Sequence, residues 1–565
     1  MTKLRIGFLV DDTDVDYYVS DLVNYVEAHS NFESPVFITG YAKKNQKLSM
    51  FRKVFDLIKL GPIKSIDQIL RSLLLRVIKK VERRVVLKKF PNFYKNINFS
   101  GHQNIKKILV NGNWSKSGLI LRFNDDDISK IKNLNLDCIV RCGSGILKGE
   151  ILDTTRFGVL SFHHGDNRVN RGGPSGFWEV LNNFPSSGFI IQKLNEELDG
   201  GEVLVRGNIM TCDFWLLNNA QLLEKSNEFF KLLLTDLATS KHIPIAEGVR
   251  LHGDRLLKID SSSVLIKYFL AILIPKVYEI IKNKIFSSNI TRWSVAYAKH
   301  ENFSKSLWRY NEIQNPKGRF LADPFVFTKN DIDYIFVEDL FFSDNKGRIS
   351  AIRLGDQGYE FLGVVLEESF HLSFPFIFDH DGDIYMIPET SQSREIRLYK
   401  CQKFPMEWSF ETTLIEDISA ADSMIFEIDG KWFLLTNIST SGEFDHNSEL
   451  HIFYANNLRS KNWQPIKTGN PVIFDSLRAR NAGMFSHNGD IYRVNQVHGK
   501  AHYGKSFTVN KVTCLSENEF NEEPVSKIDA DFKEDIISTH HFSANTRIAA
   551  VDYCRIQRLR VAKKT

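Results

Sequence analysis

The sequence predicts two architectures in one chain: an α/β domain in the N-terminal part and an all-β, five-bladed propeller in the C-terminal part. Three observations lead to this fold class. The 565 residues exceed what one hydrophobic core usually supports. Strand-like and helix-like patterns alternate through residues 1–210, and a short strand motif recurs from about residue 293 onward. The composition, with 43% hydrophobic and 25% charged residues, argues against a disordered chain or a polytopic membrane protein.

The α/β domain is predicted over residues 1–210. Residues 4–10 and 35–39 are apolar runs of strand length, and residues 15–29 between them have helical spacing. The pattern then predicts a helix and three further strands, at 125–133 for the helix and at 107–110, 137–140 and 157–162 for the strands. Such alternation is typical of a largely parallel sheet covered by helices. Helical periodicity prevails in residues 211–292, which we expect to form a connector.

The propeller prediction, for residues 293–565, rests on a motif that occurs as ADPFVF, SFPFIF, ADSMIF, RNAGMF and, more weakly, THHFS. One polar or turn residue marks each copy, and the markers lie about 47 to 60 residues apart: Asp323, Pro375, Asp422, Asn481 and His541. A blade of four short strands needs about this length. A second polar residue follows each marker by 11 to 15 residues: Glu338, Glu389, Asn437, Gln496 and Asp552. We expect the strand near residues 293–297 to close the ring against the last blade. An unrelated β-sandwich is the alternative.

The first strand of each propeller blade lines the central channel, so the markers should converge there. Together with residues of the second strands and Arg493, they would form a polar, partly acidic funnel. The substrate-binding candidates of this funnel are Asp323, Glu338, Glu389, Asp422, Asn481, Arg480 and His541. The alternative is that these side chains only satisfy strand ends around a wet channel.

The most informative segment of the first domain is a predicted strand that ends in Ser161, Phe162, His163 and His164. Such a strand would deliver imidazoles to the carboxyl edge of the sheet, where open α/β sheets bind ligands. Asp199 follows in a Leu-Asp-Gly-Gly turn. A histidine with a carboxylate is a general acid/base pair, but the residues alone favour a structural pair.

These residues resemble the 10-formyltetrahydrofolate-dependent formyltransferases, a family that includes bacterial sugar N-formyltransferases. His163, Arg171 with Gly172, and Asp199 match the family's motif, and Ser161 stands where the family has Asn. The resemblance covers about residues 1–210 and implies a formyltransferase-type, Rossmann-like fold. The resemblance implies that His163 donates a hydrogen bond to the oxyanion and that Asp199 orients and charges His163. Ser161 would be a second donor of shorter reach.

The same resemblance implies 10-formyltetrahydrofolate as the cofactor. Its binding residues would be Arg141, Cys142, Gly143, Ser144, Ile146 and Leu147, and His164, Arg171 and Gly172 would contact the substrate. His164 would be either a replacement donor for the missing Asn or a plain loop histidine.

The predicted propeller resembles glycoside hydrolase family 43-like domains and the N-terminal part of glucosamine inositolphosphorylceramide transferases. Asp323 and Asp422 match the two aspartates of the hydrolases, but Arg480 and Asn481 stand where their acid Glu is expected. Hydrolysis needs two suitably placed carboxyls, and Glu338 or Glu389 could supply the second. Sugar binding or glycosyl transfer fits the funnel at least as well.

Residues 51–100 form a basic segment with 13 Lys and Arg against three acidic residues, interleaved with apolar ones. The pattern suits one or two amphipathic helices on an anionic membrane. A solvated insertion packed on the domain is the alternative. Six dispersed cysteines fit a reducing compartment. We therefore expect a cytoplasmic protein, with peripheral contact at the inner face of the membrane as an option and with no nucleic acid partner.

The leading hypothesis is an N-formyltransferase that modifies an amino sugar, nucleotide- or lipid-linked, for a surface polysaccharide. The propeller would then bind or process the glycan. The competing hypothesis makes the propeller funnel the active site of a glycosyltransferase or glycosidase and the first domain a degenerate binding module.

Overall fold

The computed structural model describes residues 3–42, 61–169, 172–197, 200–248, 256–286, 289–299, 306–356, 358–440 and 445–558. Two predicted site residues, Arg171 and Asp199, lie outside these ranges, as do the first ten residues of the basic segment. The chain divides into two compact units, Met1–Tyr278 and Glu279–Thr565. Each unit is described by itself.

The first unit contains twelve strands in its described residues. They are β1 (Ile6–Leu9), β2 (Asp14–Asp16), β3 (Val36–Thr39), β4 (Asn96–Asn98), β5 (Lys106–Leu109), β6 (Gly112–Trp114), β7 (Ile120–Phe123), β8 (Cys138–Arg141), β9 (Ile146–Leu147), β10 (Val159–His163), β11 (Ser186–Lys193) and β12 (Glu202–Met210). Its helices are α1 (Tyr17–Ala28), α2 (Pro62–Lys89), α3 (Asp125–Lys132), α4 (Phe177–Leu181), α5 (Trp215–Ser240) and α6 (Ser262–Tyr268). A π turn (Phe269–Leu273) then leads into α7 (Ile274–Phe286), which crosses into the second unit.

Seven of these strands form one sheet in the order β12-β11-β10-β8-β1-β3-β5. The five strands from β10 to β5 are parallel, whereas β11 and β12 add an antiparallel edge. The central strands β1 and β3 are short apolar runs that are buried on both faces, as is typical of parallel sheets, whereas the edge strand β5 is partly exposed. Helix α5 packs on β11, β12 and α1, so it is part of this unit.

Helix α2 is held to the unit by a buried glutamate. Only Ile78, Glu82 and Val86 of its 28 residues are buried. One oxygen of Glu82 accepts the Leu216 N–H at 2.8 Å, and the other accepts the Tyr268 hydroxyl at 2.6 Å. Because Phe214 at the N-cap of α5 makes no side-chain cap, the Glu82 carboxylate supplies the acceptor that the helix start needs.

Burial raises the pKa of Glu82 to about 7, although both hydrogen bonds act in the opposite direction. Between pH 4.5 and about 7, the folded protein therefore keeps a proton on Glu82 that the unfolded chain has released. Stability of the first unit should fall as pH rises from 4.5 through about 7, by about 3 kcal/mol from this group.

We predict that Glu82→Gln flattens this pH dependence, because the amide does not ionise. Thermal unfolding followed by calorimetry between pH 4.5 and 8 measures it. The exposed Glu27→Gln on α1 is the matched control and should leave the slope unchanged. An unchanged slope in Glu82→Gln would show that the group is already ionised in the fold.

The second unit consists of five antiparallel sheets in its described residues. Blade 1 contains β15 (Arg319–Lys329), β16 (Ile332–Phe341), β17 (Lys346–Gly355) and β18 (Gly358–Leu366), and blade 2 contains β19 (Ser373–His380), β20 (Asp383–Glu389), β21 (Glu395–Lys403) and β22 (Glu407–Glu416). Blade 3 contains β23 (Ala420–Ile428), β24 (Lys431–Ile438) and β25 (Glu449–Ala455), with β26 (Gln464–Pro465) and β27 (Ile473–Phe474) beside β25. Blade 4 contains β28 (Asn481–His487), β29 (Asp490–Gly499), β30 (His502–Leu515) and β31 (Phe520–Asp529).

Blade 5 is assembled from both ends of the unit. It contains β32 (Ile536–Ser538), β33 (Phe542–Ala544) and β34 (Ile548–Arg558), together with β13 (Asn289–Lys299) and β14 (Asn311–Ile313). Strands β13 and β34 pair over eleven residues, from Asn289 opposite Arg558 to Lys299 opposite Ile548. The inner strands contact one another in the closed order β15, β19, β23, β28 and β33. The prediction of a β-propeller-like all-β unit is therefore confirmed.

Four inner strands carry the same bulge at the same place. Their ladders skip two residues between Ala322 and Phe325, Ser373 and Phe376, Ala421 and Met424, and Asn481 and Met484. Asp323, Phe374 and Asp422 in these bulges have φ of 49°, 46° and 49°, and Gly483 has φ of 115°. A bulge re-aims a side chain out of the ladder, and such strained backbone is maintained only where the fold over-determines it. The register thus makes Phe374 and Ala482, rather than Pro375 and Asn481, the counterparts of Asp323.

Candidate active site in the second unit

The carboxylate of Asp552 joins the last blade to the first. It accepts the backbone N–H groups of Asp323 at 3.2 Å, His540 at 3.0 Å and His541 at 2.9 Å. His540 Nδ1 lies 2.7 Å from the same group. Three backbone N–H donors and the His540 imidazolium surround Asp552, which stays ionised even though it is fully buried: burial opposes ionisation, but His540 lowers its pKa.

His540 lies between two carboxyl groups. Its Nε2 is 3.4 Å from Asp323 Oδ1, opposite the Asp552 contact. Burial disfavours the charged imidazole, but Asp552 and then Asp323 outweigh burial and raise the pKa of His540 to about 9. These three side chains could also offer a ligand atom each to a cation, since the atoms lie within 4.8 Å of one another. At neutral pH the imidazolium already balances the charge of Asp552.

Asp323 carries the second carboxyl group beside His540. Its side chain is 9% exposed, and one oxygen accepts the Phe374 N–H at 3.3 Å. Burial raises the pKa of Asp323 well above its ordinary value, with Glu338 and Asp422 adding to the shift and His540 opposing it. A buried carboxyl with a raised pKa can serve as a general acid or base.

A second carboxyl, Asp422, is paired with an arginine. Arg480 Nε lies 2.6 Å from Asp422 Oδ2, and its Nη2 is 3.8 Å from Glu389 Oε2. Burial raises the pKa of Asp422 to about 6 against the pull of Arg480. Burial also acts against the charge on Arg480, but Asp422 outweighs it, so the pKa of the guanidinium is raised and the group stays cationic.

Aromatic side chains border the carboxyl groups. The Trp293 and His540 rings are 4.0 Å apart between centroids, and the Tyr503 ring is 5.3 Å from His540. Arg480 lies 5.4 Å from the ring centroid of Tyr503, a residue that is 38% exposed. An exposed aromatic face next to ionisable groups is the usual make-up of a ligand pocket. We call the group of Asp323, Asp422, Arg480, Tyr503, His540 and Asp552 the central cluster.

Most funnel residues named from the sequence adjoin this cluster. Glu338 Oε1 is 3.3 Å from His371 Nε2, and Glu389 accepts the Ser391 hydroxyl at 2.8 Å. Asn481 is fully buried and donates to the backbone oxygen of Asp422 at 2.8 Å, while Asn495 rather than Gln496 lies opposite it. Asn481 therefore supports Asp422 and offers no free surface to a ligand.

His541 does not face the cluster as predicted. Its ring is fully buried and packs against Phe325 at 4.5 Å and Phe374 at 5.2 Å between centroids. Burial lowers its pKa to about 3, so it is a neutral core residue. Its neighbour His540, which does face the cluster, was not among the predicted residues. His540 could have been identified from the sequence, because it lies two residues before Phe542, just as Asp323 lies two residues before Phe325.

In the first unit, the strand-end residues are engaged within the fold. His163 ends β10, and Ser161 beside it is buried. Arg141 Nη1 donates to the Ser161 hydroxyl at 3.3 Å. His164 Nε2 lies 3.0 Å from the Ser226 hydroxyl, and burial lowers the pKa of His164 to about 3. His164 is thus half-buried, with its Nε2 engaged by Ser226.

The predicted cofactor segment is packed under two aromatic residues. A Cβ at Gly143 would lie 1.9 Å from the Tyr41 hydroxyl, and one at Gly145 would lie 2.7 Å from Trp114. Ser144 N donates to Asp11 at 2.7 Å. Of the remaining candidates, burial raises the pKa of the Cys142 thiol to about 12, while Ile146 and Leu147 form β9, and Leu147 belongs to the core.

A cavity of about 950 Å³ opens beside this segment, lined among others by Asp11, Lys107, Trp114 and Arg141. Gly172, a predicted substrate contact, faces backbone: a Cβ there would lie 2.1 Å from Leu257 O, and its φ is 110°. The glycine is required by this close approach.

Comparison with known proteins concerns mainly the second unit. Residues 308–547 match the family model described as "Glucosamine inositolphosphorylceramide transferase 1, N-terminal". Glucosamine inositolphosphorylceramide transferase 1 of Oryza sativa subsp. japonica is 38% identical over 212 residues, which cover 37% of this chain and 28% of the relative. The chain thus spans less than a third of the length of the curated relatives it matches.

Two solved structures resemble parts of the chain more distantly. The catalytic domain of the Coprinopsis cinerea GH62 α-L-arabinofuranosidase has 10% identity and a TM-score of 0.33, covering 46% of this chain and 97% of that one. Glycinamide ribonucleotide transformylase 1 from Symbiobacterium toebii has 10% identity and a TM-score of 0.28, covering 44% and 95%. Likenesses of this size support no functional argument.

These matches correct the leading hypothesis. Folate-dependent formyl transfer is wrong as the function, because the matching family and its relatives are sugar–lipid transferases by name. Ser161 and His164, the two groups expected to replace the missing Asn, each have a hydrogen-bond partner within the fold, and their predicted roles stay predictions. Binding of 10-formyltetrahydrofolate as such stays a prediction.

We predict that Asp552→Asn destabilises the second unit by about 3–5 kcal/mol, because it leaves the buried imidazolium of His540 without its counter-charge. The folded pKa of His540, about 9, exceeds its ordinary 6.5. The contribution of the pair is therefore complete below pH 6.5 and is lost as pH rises through about 9.

Calorimetric unfolding at pH 6 and pH 9.5 measures both effects. Asp331→Asn is the matched control, because the Asp331 side chain is 94% exposed. A destabilisation equal at both pH values would contradict the charged state of His540.

Proposed function

We propose that the second unit binds the head group of a lipid-linked glycan at the central cluster and transfers a glycosyl group there. One observation carries the proposal: the stretch that matches the transferase family, residues 308–547, contains nearly the whole cluster, from Asp323 to His540. The relatives are named for inositolphosphorylceramide, a lipid whose head group is an inositol phosphate. An inositol phosphate glycan is therefore the acceptor class that we propose.

Asp323 is suited to act as the general base. Glycosyl transfer forms a bond from an acceptor hydroxyl oxygen to the sugar C1 while the bond from C1 to the leaving oxygen breaks. The hydroxyl proton must move to a nearby group, and the Asp323 carboxylate can accept it, because its raised pKa makes it a stronger base than an ordinary aspartate. His540, held by Asp552, fixes the position of Asp323 and limits the rise of its pKa.

Arg480 favours transfer over hydrolysis. It occupies the place in which hydrolases of the resembling type have an acidic residue, and its guanidinium cannot donate a proton at neutral pH. A cation does suit a phosphate in a lipid head group or in a departing nucleotide, since guanidinium and phosphate form strong charge-assisted hydrogen bonds. Tyr503, stacked beside Arg480, offers an aromatic face to a sugar ring.

The first unit is, in this proposal, a binding module. Its cavity of about 950 Å³ offers Lys107 and Arg141 to an anionic or polar ligand, and Trp114 offers a ring for stacking. The hydrogen bond from Arg141 to Ser161 occupies the residue that would have assisted catalysis.

We predict that Asp323→Asn lowers the rate of transfer by about 10²–10⁴-fold, because the amide cannot accept the proton. The assay supplies the full chain with an inositol phosphate glycolipid in detergent and a panel of sugar nucleotides, amino sugars included, and detects glycosylated lipid by mass spectrometry. Asp429→Asn is a matched control, because Asp429 has a similar φ of 50° in an exposed turn.

The control should keep full activity and the variant should still bind the glycan head group in calorimetry. Equal turnover in Asp323→Asn and in the wild-type chain would exclude Asp323 as the base. Failure of the wild-type chain to bind any inositol phosphate glycan would overturn the proposed function itself.

A further inference from the structure

Helix α2 exposes a line of apolar side chains. Ile63, Ile66, Leu70, Leu73 and Val77 are 82%, 65%, 36%, 51% and 44% exposed. Their spacing of three and four residues places them on one face of the helix. Isolated exposed apolar residues are common, but a continuous line over four turns indicates a binding surface.

A second line of apolar side chains runs from α6 through the π turn into α7. Ile266, Leu270, Ile274 and Tyr278 are 37%, 60%, 46% and 66% exposed, and they recur every four residues. The segment 262–278 therefore repeats the pattern of α2.

The two helical segments pack together. Asp67 on α2 accepts the backbone N–H and the hydroxyl of Ser262 at 2.8 Å and 2.6 Å. Farther along, Ile78 of α2 shares a buried cluster with Leu265, Tyr268 and Leu273. Both apolar lines are thus carried by one firmly held helix pair.

Charge distinguishes the two halves of the α2 face. The apolar line continues at the same three- and four-residue spacing into Lys80, Arg84 and Lys88, all exposed. Both acidic residues of α2 are turned to internal partners, Asp67 to Ser262 and Glu82 to Leu216 and Tyr268. The exposed face of α2 is therefore apolar in its first half and basic in its second.

We propose that this helix pair is a docking surface for an anionic lipid bilayer. The apolar lines would enter the boundary between head groups and acyl chains, and Lys80, Arg84 and Lys88 would contact lipid phosphates. No described helix is long and apolar enough to cross a membrane, so the pair lies along the interface. A second copy of the chain is a poorer occupant, because it would bring two basic faces together.

This inference is independent of the proposed function, yet it would place the chain where a lipid-linked acceptor is found. Co-sedimentation of the full chain with vesicles tests it, using phosphatidylcholine alone or with 30% phosphatidylserine, at low and high salt. The wild-type chain should bind the anionic vesicles at low salt, and the binding should weaken as salt rises.

Two sets of substitutions separate the contributions. Ile66→Gln with Leu73→Gln should weaken binding at least tenfold. Lys80→Gln with Arg84→Gln and Lys88→Gln should weaken it roughly a hundredfold, because each basic residue near an anionic surface strengthens binding about fivefold. Ile245→Gln is the control, because Ile245 is 99% exposed elsewhere in the unit. All these side chains are exposed, and unchanged thermal unfolding verifies the fold.

Binding that is absent in the wild-type chain, or that both sets leave unchanged, would overturn the proposal. Sedimentation that shows a dimer which Ile66→Gln with Leu73→Gln dissociates would assign the surface to a second copy and would overturn it equally.

Discussion

The central cluster of the second unit depends on the Asp552 carboxylate, which lies where blade 5 meets blade 1. Strand β34 pairs with β13 over eleven residues, but that ladder joins only strands of the same blade. Asp552 instead ties blade 5 to blade 1, through the N–H of Asp323 on one side and those of His540 and His541 on the other. A buried carboxylate is costly unless its partners are complete. The position of Asp323, and hence the chemistry of the central cluster, follows from that requirement.

The repeated bulge explains why the polar groups converge. Each of four inner strands leaves its ladder for two residues, and Asp323 and Asp422 occupy equivalent bulges with left-handed backbone. Neighbouring blades then hold these side chains with fixed donors, such as Phe374 N–H for Asp323 and Arg480 for Asp422. The backbone strain is concentrated where the carboxyl groups are needed, as is common at functional sites.

The repeat made the propeller-like unit predictable from the sequence, because five copies of one strand motif specify five similar sheets. The finer register was not predictable. Pro375 and Asn481 were predicted as the counterparts of Asp323, but the residues at that position are Phe374 and Ala482. Each prediction is one position off, because a bulge shifts the pairing without any change in the apolar pattern. His540 was missed because its role depends on Asp552 and Asp323, which reach it only through ring closure. In the first unit, a local sequence motif suggested formyl transfer. Such a motif does not reveal contacts between neighbouring strands, such as the hydrogen bond from Arg141 to Ser161.

The central claim is that a glycan head group binds at the central cluster of the second unit. Hydrogen exchange of the full chain, with and without a soluble inositol phosphate glycan, tests it most directly. We expect the glycan to slow exchange in peptides that contain Asp323, Asp422, Arg480 and His540. In peptides around residues 141–164, exchange should not slow by a comparable amount. Protection confined to residues 141–164, or no protection at a saturating concentration of the glycan, would contradict it.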